Sequence, residues 1–463
     1  MTYPLHPNPR SSALLTDLYE LTMAAAYFEN QVHDTASFEL FVRALPENRC
    51  YLLLAGLEQV LYYLENLRFT PEQIDHLRAQ PVFARVSPEF FDYLAEFRFT
   101  GDVWAMPEGT VVFGEEPWLR VTAPIIEAQI VETYLLSMLS FQTSIATKAA
   151  RVARAAQGRG VVEFGSRRAH GPEAGVLAAR AAYLGGCIGT SNVEAGFRFG
   201  IPTYGTVAHS FIMRYDKEEA SFRDFHRVFP AHAVLLLDTY DTLAAVDKII
   251  RSGLRPAGVR LDSGNLIELS LQVRRRLDAA GLGETKIFAS GDLNEHRVAE
   301  ILAAKAPVDA FGVGTDLATA KDAPALSVIY KLVEVVHDGE VRHRAKFSEE
   351  KVTYPGCKQV FRFLDGQGLY DHDLVTRAEE SPAGGQPLLQ LVLRNARRLE
   401  PPASLAELRA AAAANLDRLP HACRQLHEHG AYPVRFSAAL EELLAEVRRR
   451  HGQPVAALMG RKT

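Results

Sequence analysis

The chain predicts an α/β protein: an irregular βα barrel with an N-terminal α+β domain and a helical C-terminal region. Three observations lead there. Strand-like apolar pieces begin near Val161, Cys187, Thr203, Val234, Ala257, Lys286 and Val308. Helix-like segments at 173–184, 242–252, 266–280 and 295–305 separate several of them, and intervals of roughly 16 to 31 residues match βα units of a parallel sheet or barrel. Five pieces end in polar or glycine residues: VVEFGSRR, LLLDTYD, GVRLDSGN, IFASGDLN and FGVGTDL. Ligands of such folds sit at the C-terminal ends of strands.

Three regions are expected in order. Residues 1–150 read as the α+β domain. The stretch 14–28 is helix-like, TASFELFVR strand-like, and 51–67 a helix. Short strands follow around Val103, Val111 and Leu119 between Gly and Pro punctuation, and 125–148 reads as a long helix. Residues 151–330 hold the βα units. In 331–463, strands return to the N-terminal domain and helices follow. SVIYKLVEVV-HDGE-VRHRAKF is a hairpin turning at Asp338-Gly339, and PGCKQVFRF is another strand. After Pro401-Pro402, Ser404 and Glu407 stand at capping-box spacing before packing helices with no chemistry of their own.

Composition narrows the class. With 463 residues, 48% hydrophobic and 23% charged, the chain resembles an ordinary soluble globular protein. The net charge of −5 weighs against a nucleic-acid partner, while leaving small anionic substrates open. Cys50, Cys187, Cys357 and Cys423 are scattered without a CxxC pair, which argues against a zinc site or disulfide framework and for a reducing compartment. The first residues lack an apolar signal core, and no apolar run approaches the roughly 18 residues of a membrane span. A cytoplasmic protein without a membrane partner is expected.

The strand ends carry the candidate chemistry, and each has a plainer alternative. Arg260, Asp262, Ser263 and Asn265 share one junction, where a carboxylate could orient sugar hydroxyls, hold Mg²⁺ or stabilise a developing positive charge. Arg260 could pair with phosphate through its planar fork. The alternative is a helix cap with a surface Arg beside it. Gly291 and Asp292 repeat the arrangement on the next unit, where Asp292 or Asn294 could equally be a cap. Gly312, Gly314 and Thr315 could bring backbone N–H groups to a phosphate, although tight turns use the same residues, and the missing GK[ST] disfavours a P-loop ATPase. His209 and Ser210 end a strand-like segment, and Asp238 could fix the histidine tautomer or cap the following helix. Arg167 and Arg168 suit a carboxylate or phosphate, and Thr190, Ser191 and Asn192 offer small polar donors. Tyr19 alone would be read as a core residue.

Together these motifs resemble the nicotinate phosphoribosyltransferase family. The resemblance runs in order through TDLYELTM, FELFVRALP, YLLLAGLE, EFGSRRAHGPE, GTSNVEAG, GTVAHSF, LLLDTYDT, GVRLDSGNL, ASGDLNE, FGVGTDL and PGCKQVFR, and fades over the last 60 or so residues. It implies head-to-tail homodimers with shared active sites. It implies that Phe164 stacks on a pyridine ring whose other face Tyr19 of the partner subunit covers. Arg167 would contact the base and Ser191 would face the ring substituent. Arg260, Asp262, Gly291 and Asp292 would hold ribose and pyrophosphate, and Gly312, Gly314 and Thr315 the 5′-phosphate. His209 resembles a histidine phosphorylated by ATP, with Asp238 orienting it.

The function so implied is formation of nicotinate mononucleotide and pyrophosphate from nicotinate and phosphoribosyl pyrophosphate. The resemblance adds Mg²⁺ with the substrate phosphates, and coupling to ATP in a ligase-class reaction of NAD salvage. Nicotinamide-specific relatives carry Asp where this chain has Ser191, and an Asp would repel a carboxylate, so Ser191 with Arg167 favours the acid. The stretch 341–351 contains Arg342, Arg344, Lys346 and Lys351, either a site for ATP phosphates or a basic surface. The rival readings are a nicotinamide or quinolinate phosphoribosyltransferase and a catalytically dead barrel serving as a binding protein.

Overall fold

A computed structural model of the chain describes residues 13–348, 351–427 and 430–451. The fold is mixed α/β and divides into two compact units, Ser144–Pro324 and the pair of segments Met1–Thr143 and Ala325–Thr463. The division falls inside the helix Glu132–Ala155. No helix among the described residues is long and apolar enough to cross a membrane.

In the unit Ser144–Pro324, six short strands pair in parallel. Their spatial order is Gly189–Thr190, Gly160–Glu163, Ala310–Val313, Lys286–Ala289, Gly258–Leu261, Val234–Leu236. Their apolar residues are mostly buried, as expected for a parallel sheet covered by helices. Pro172–Leu184, Thr242–Arg251, Leu266–Ala279 and Glu295–Ala303 are the helices between strands, within a residue or two of where apolar periodicity puts them. Strand pairing runs from Gly189–Thr190 to Val234–Leu236 and does not join these two end strands to each other. The strand expected at Thr203 is reduced to a single bridge to Thr190, because Pro202 lacks an amide donor and Gly205 follows closely.

The other unit is built on a seven-stranded antiparallel sheet. Thr35–Val42 lies within it, between Val328–His337 and Leu119–Pro124. A four-stranded sheet around Lys358–Leu364 and Tyr370–Arg377 joins it in this unit. The hairpin turns at Asp338-Gly339, both at positive φ, and Ser404 and Glu407 form a reciprocal capping box on Leu405–Asp417. Two expected helices are corrected. Residues 51–67 begin as the strand Leu52–Leu53, paired with Val111–Val112, and the helix Leu57–Asn66 starts only after Gly56, whose φ of 102° interrupts helical continuity. Residues 125–148 form two helices, Ile125–Ile130 and Glu132–Ala155. Cys50 and Cys423, scattered in the sequence, are paired as a disulfide with Cα atoms 5.2 Å apart, a single cross-link rather than a framework. Tertiary folding joins two positions 373 residues apart, which no local spacing could show.

This unit also holds a pair of neighbouring carboxylates, one buried and one half-buried. Glu20, on the helix Leu18–Glu29, is fully buried and accepts from Gln129 Nε2 at 2.6 Å, while Gln129 reaches Glu132 at 3.3 Å. Burial, and then the neighbouring Glu20 charge, push the Glu132 carboxyl up to about 7. Such a group keeps a proton that the unfolded chain releases above its ordinary value of 4.5, so stability falls as pH rises from there to about 7. Glu132→Gln is therefore expected to flatten the decline of the thermal midpoint between about pH 5 and about pH 8, measured by calorimetry. Parallel profiles for the native protein and the variant would show that Glu132 does not titrate in that window.

Candidate active site

Parallel pairing sends the C-terminal ends of the strands to one edge, and the loops there line a cleft of about 500 Å³. Helix capping explains which polar side chains are left free for it. Asn265, Asn294 and Asn192 cap the helices that follow their loops, and Asp241 caps Thr242–Arg251. The alternative cap roles for Asp262, Asp292, Ser191 and Asp238 are thus taken by neighbours.

The Gly160–Glu163 and Gly189–Thr190 strands supply one side. Phe164 continues its strand by donating its N–H to the Val313 carbonyl at 2.8 Å. A Cβ on Gly312 would stand 2.7 Å from the Phe164 ring, so glycine is what lets that ring lie across the neighbouring strand. Exposed Arg167 and Arg168 lie in the turn Ser166–Arg168 beside it. The buried Glu163 carboxylate accepts from the Thr190 hydroxyl at 2.5 Å and from the Gly165 N–H, while its carbonyl accepts from Ser191 N at 2.9 Å. Glu163 therefore fixes the Phe164 and Ser191 loops relative to each other. Burial raises its carboxyl above the ordinary range.

The Gly258–Leu261 and Lys286–Ala289 strands supply the other side. Arg260 donates through Nε to Ser290 Oγ at 2.7 Å and through its two terminal nitrogens to Thr206 Oγ1 at 2.8 Å and Asp262 Oδ1 at 2.7 Å. Its guanidinium carbon is also 5.6 Å from the Phe164 ring centroid, within cation–π range. Asp262 Oδ1 further accepts from Ser290 Oγ at 2.5 Å. Burial works to raise the Asp262 pKa, but Ser290, Arg260 and His209 outweigh it and hold the carboxyl below its ordinary range. Gly291 has φ 88°, and any Cβ there would collide with the Asp262 carbonyl oxygen. Asp292 itself sits at φ 44°, a conformation costly for a non-glycine residue. Asp262, Asp292 and Arg297 also line an adjoining cavity of about 470 Å³.

The cleft brings together Phe164, Arg167, Ser191, His209, Arg260 and Asp262 with the glycine loops at Gly291-Asp292 and Gly312-Val313-Gly314-Thr315. Two residues to which the resemblance gives a role are not in its lining. Tyr19 stands half exposed on Leu18–Glu29 of the other unit. Asp238 accepts from the Ser263 hydroxyl and does not hold His209, whose Nδ1 lies 3.1 Å from Thr239 Oγ1 and Nε2 4.0 Å from Asp262 Oδ2. The expected orientation of His209 by Asp238 is corrected accordingly. Thr206, Ser290 and Glu163 anchor the site and were missed, although each sits inside a motif singled out in the sequence. Arg342, in the basic stretch, pairs with Glu340, and residues 349–350 of that stretch lie outside the described residues.

Comparison with known proteins agrees with this geometry. Residues 14–140 match the nicotinate phosphoribosyltransferase N-terminal domain, 160–353 the nicotinate phosphoribosyltransferase family, and 382–444 the C-terminal domain of the same enzymes. A nicotinate phosphoribosyltransferase of Mycobacterium tuberculosis is 49% identical over 444 residues, covering 94% of each chain. One from Bacillus subtilis is 43% identical over 365 residues, covering 77% of this chain and 74% of its own. The crystal structure of human nicotinic acid phosphoribosyltransferase superposes with a TM-score of 0.82 at 30% identity, covering 94% of this chain and 100% of that one. The nicotinate-nucleotide pyrophosphorylase of Pyrococcus furiosus gives 0.72 at 26% identity, covering 90% and 98%. These findings correct the ATP-coupled, ligase-class expectation: the matched descriptions are of phosphoribosyl transfer and name no ATP-coupled ligation. Sequence and fold agree over nearly the whole length, and the chain belongs to the nicotinate phosphoribosyltransferase family.

Proposed function

We propose that the chain transfers the phosphoribosyl group of phosphoribosyl pyrophosphate to nicotinate, releasing pyrophosphate and forming nicotinate mononucleotide for pyridine nucleotide synthesis. One observation carries the reading. A single cleft joins an aromatic ring, an arginine and a small hydroxyl from one side of the sheet to an Arg–Asp pair and glycine loops from the other. The first group suits a planar aromatic acid, and the second a phosphorylated sugar.

Phe164 stacks on the pyridine ring, and Arg167 offers its planar fork to the carboxylate. Ser191 accommodates that carboxylate without opposing charge. Backbone N–H groups around Gly312, Gly314 and Thr315 receive the 5′-phosphate. Gly291 and Asp292 border the ribose and diphosphate, and His209 contributes an imidazole donor to the same anionic substrate. As the pyridine nitrogen forms its bond to C1, the bond to pyrophosphate breaks and positive charge develops on the sugar. Asp262, held ionised by Ser290 and Arg260, stabilises that charge, and because its partners are already fixed it need not reorganise.

The donor set also suits Mg²⁺ arriving with the diphosphate. That ion favours one or two carboxylates together with substrate phosphate oxygens, and Asp262 and Asp292 would be those carboxylates. Bound there, it would neutralise charge on the leaving pyrophosphate. Tyr19, 48% exposed on its helix, completes the ring slot from a second copy in a homodimer.

The direct test is mononucleotide formation by purified protein with Mg²⁺, phosphoribosyl pyrophosphate, and either nicotinate or nicotinamide; turnover of neither acceptor would refute the proposal. Ser191→Asp is expected to lower kcat/KM for nicotinate by about thirtyfold or more, equivalent to about 2 kcal/mol of like-charge repulsion, with a smaller change for nicotinamide. Equal losses for both acceptors would remove Ser191 from acid recognition. Asp262→Asn should lower kcat roughly a hundredfold, because it removes charge stabilisation present mainly in the transition state. An unchanged kcat in single-turnover experiments would assign that stabilisation elsewhere.

A further inference from the structure

Behind the cleft lies a buried ionic cluster that the chemistry above does not use. Lys148, on the helix Glu132–Ala155, has a side chain only 1% exposed. Its Nζ lies 2.6 Å from Glu295 Oε2, 2.8 Å from Asp322 Oδ1 and 3.5 Å from Asp316 Oδ1. Arg151 Nε, one turn along the same helix, donates to Glu295 Oε1 at 3.0 Å. Burial tends to raise the Glu295 pKa, yet Lys148 and Arg151 hold it below the ordinary range.

The positions of the carboxylates give the cluster its meaning. Glu295 opens the helix Glu295–Ala303 immediately behind the Gly291-Asp292 loop, and Asp316 directly follows Thr315 in the Gly312–Thr315 loop. One ammonium group therefore ties together the roots of both loops assigned to the phosphorylated sugar. Asp292 holds a left-handed backbone conformation that persists only where its surroundings enforce it. Removing the cation would leave buried Glu295 with Arg151 alone and set Asp316 and Asp322 repelling it without their shared counter-charge, which would free the two loops to separate.

We propose that Lys148 is a positioning residue that locks the two sugar-phosphate loops into one unit, and so sets affinity for phosphoribosyl pyrophosphate while leaving recognition of nicotinate unchanged. This rests on the phosphoribosyl transfer proposed above. The acceptor side has a tie of its own besides the Phe164–Val313 hydrogen bond, since Glu163 joins the Phe164 and Ser191 loops through Thr190 and Gly165. A purely structural role for Lys148 would instead weaken both substrates together.

Steady-state kinetics of the full chain with both substrates varied provide the test. Lys148→Met is expected to raise KM for phosphoribosyl pyrophosphate at least about tenfold, with KM for nicotinate and kcat each within about threefold. Asp322→Asn, at a site 25% exposed and so tolerant of change, should move KM for phosphoribosyl pyrophosphate in the same direction by about threefold. It carries the test if Lys148→Met does not fold. Equal rises in both KM values, or a loss confined to kcat, would overturn the proposal while leaving the transferase reading intact. A native protein that turns over neither acceptor would overturn both.

Discussion

Parallel hydrogen bonding in the six-stranded sheet is the constraint on which the site depends. Because neighbouring strands run the same way, every loop that leaves a C-terminal end opens on one edge. Positions as remote in sequence as Phe164 and Thr315 therefore share a cleft. Spatial order matters as much as direction. Ala310–Val313, the last strand of the sheet in sequence, inserts between Gly160–Glu163 and Lys286–Ala289, which puts Gly312 and Gly314 between the two groups of polar side chains. A larger residue at 312 would push the Phe164 ring off its strand end.

The second principle is a division of labour among short polar residues. Asparagines cap the N-terminal ends of the helices, and Asp262 and Asp292 are left to face the cleft. Burial alone would make Asp262 a weaker acid, and Ser290 and Arg260, themselves fixed by Thr206 and one another, outweigh that tendency. The polar groups of the site are thus arranged before any substrate arrives, which is the condition for dipoles to be effective in catalysis.

The βα region was legible in the sequence because its signals are local. Apolar runs of strand length, helical periodicity and polar strand ends locate every helix of the sheet region named from the sequence, and the residues lining the cleft come from the motifs those ends carry. What escaped was set by distant contacts. Leu52–Leu53 is a strand because Val111–Val112 lies beside it, although its own residues suit the helix that follows. Cys50 meets Cys423 only through tertiary folding, and barrel closure depends on whether edge strands meet, which periodicity cannot say. Asp238 pointed to His209 by chemistry alone, while the loop geometry gave it Ser263. Lys148 read as the end of a helix, because its partners lie 147 or more residues further along; Glu295 meets its neighbour Arg151 across 144.

The discontinuous unit has a consequence for how the chain is made. Thr35–Val42 receives Leu119–Pro124 on one side early in synthesis, but its other neighbour, Val328–His337, comes from beyond the whole Ser144–Pro324 unit. At ordinary elongation rates that interval takes roughly 10 to 40 s. Throughout it, a strand reading TASFELFV, almost wholly buried in the finished protein, presents an unpaired edge on the nascent chain. The contiguous Ser144–Pro324 segment can complete its parallel sheet in that time. The antiparallel sheet cannot, so the N-terminal segment keeps an unsatisfied strand edge until Val328–His337 has been made.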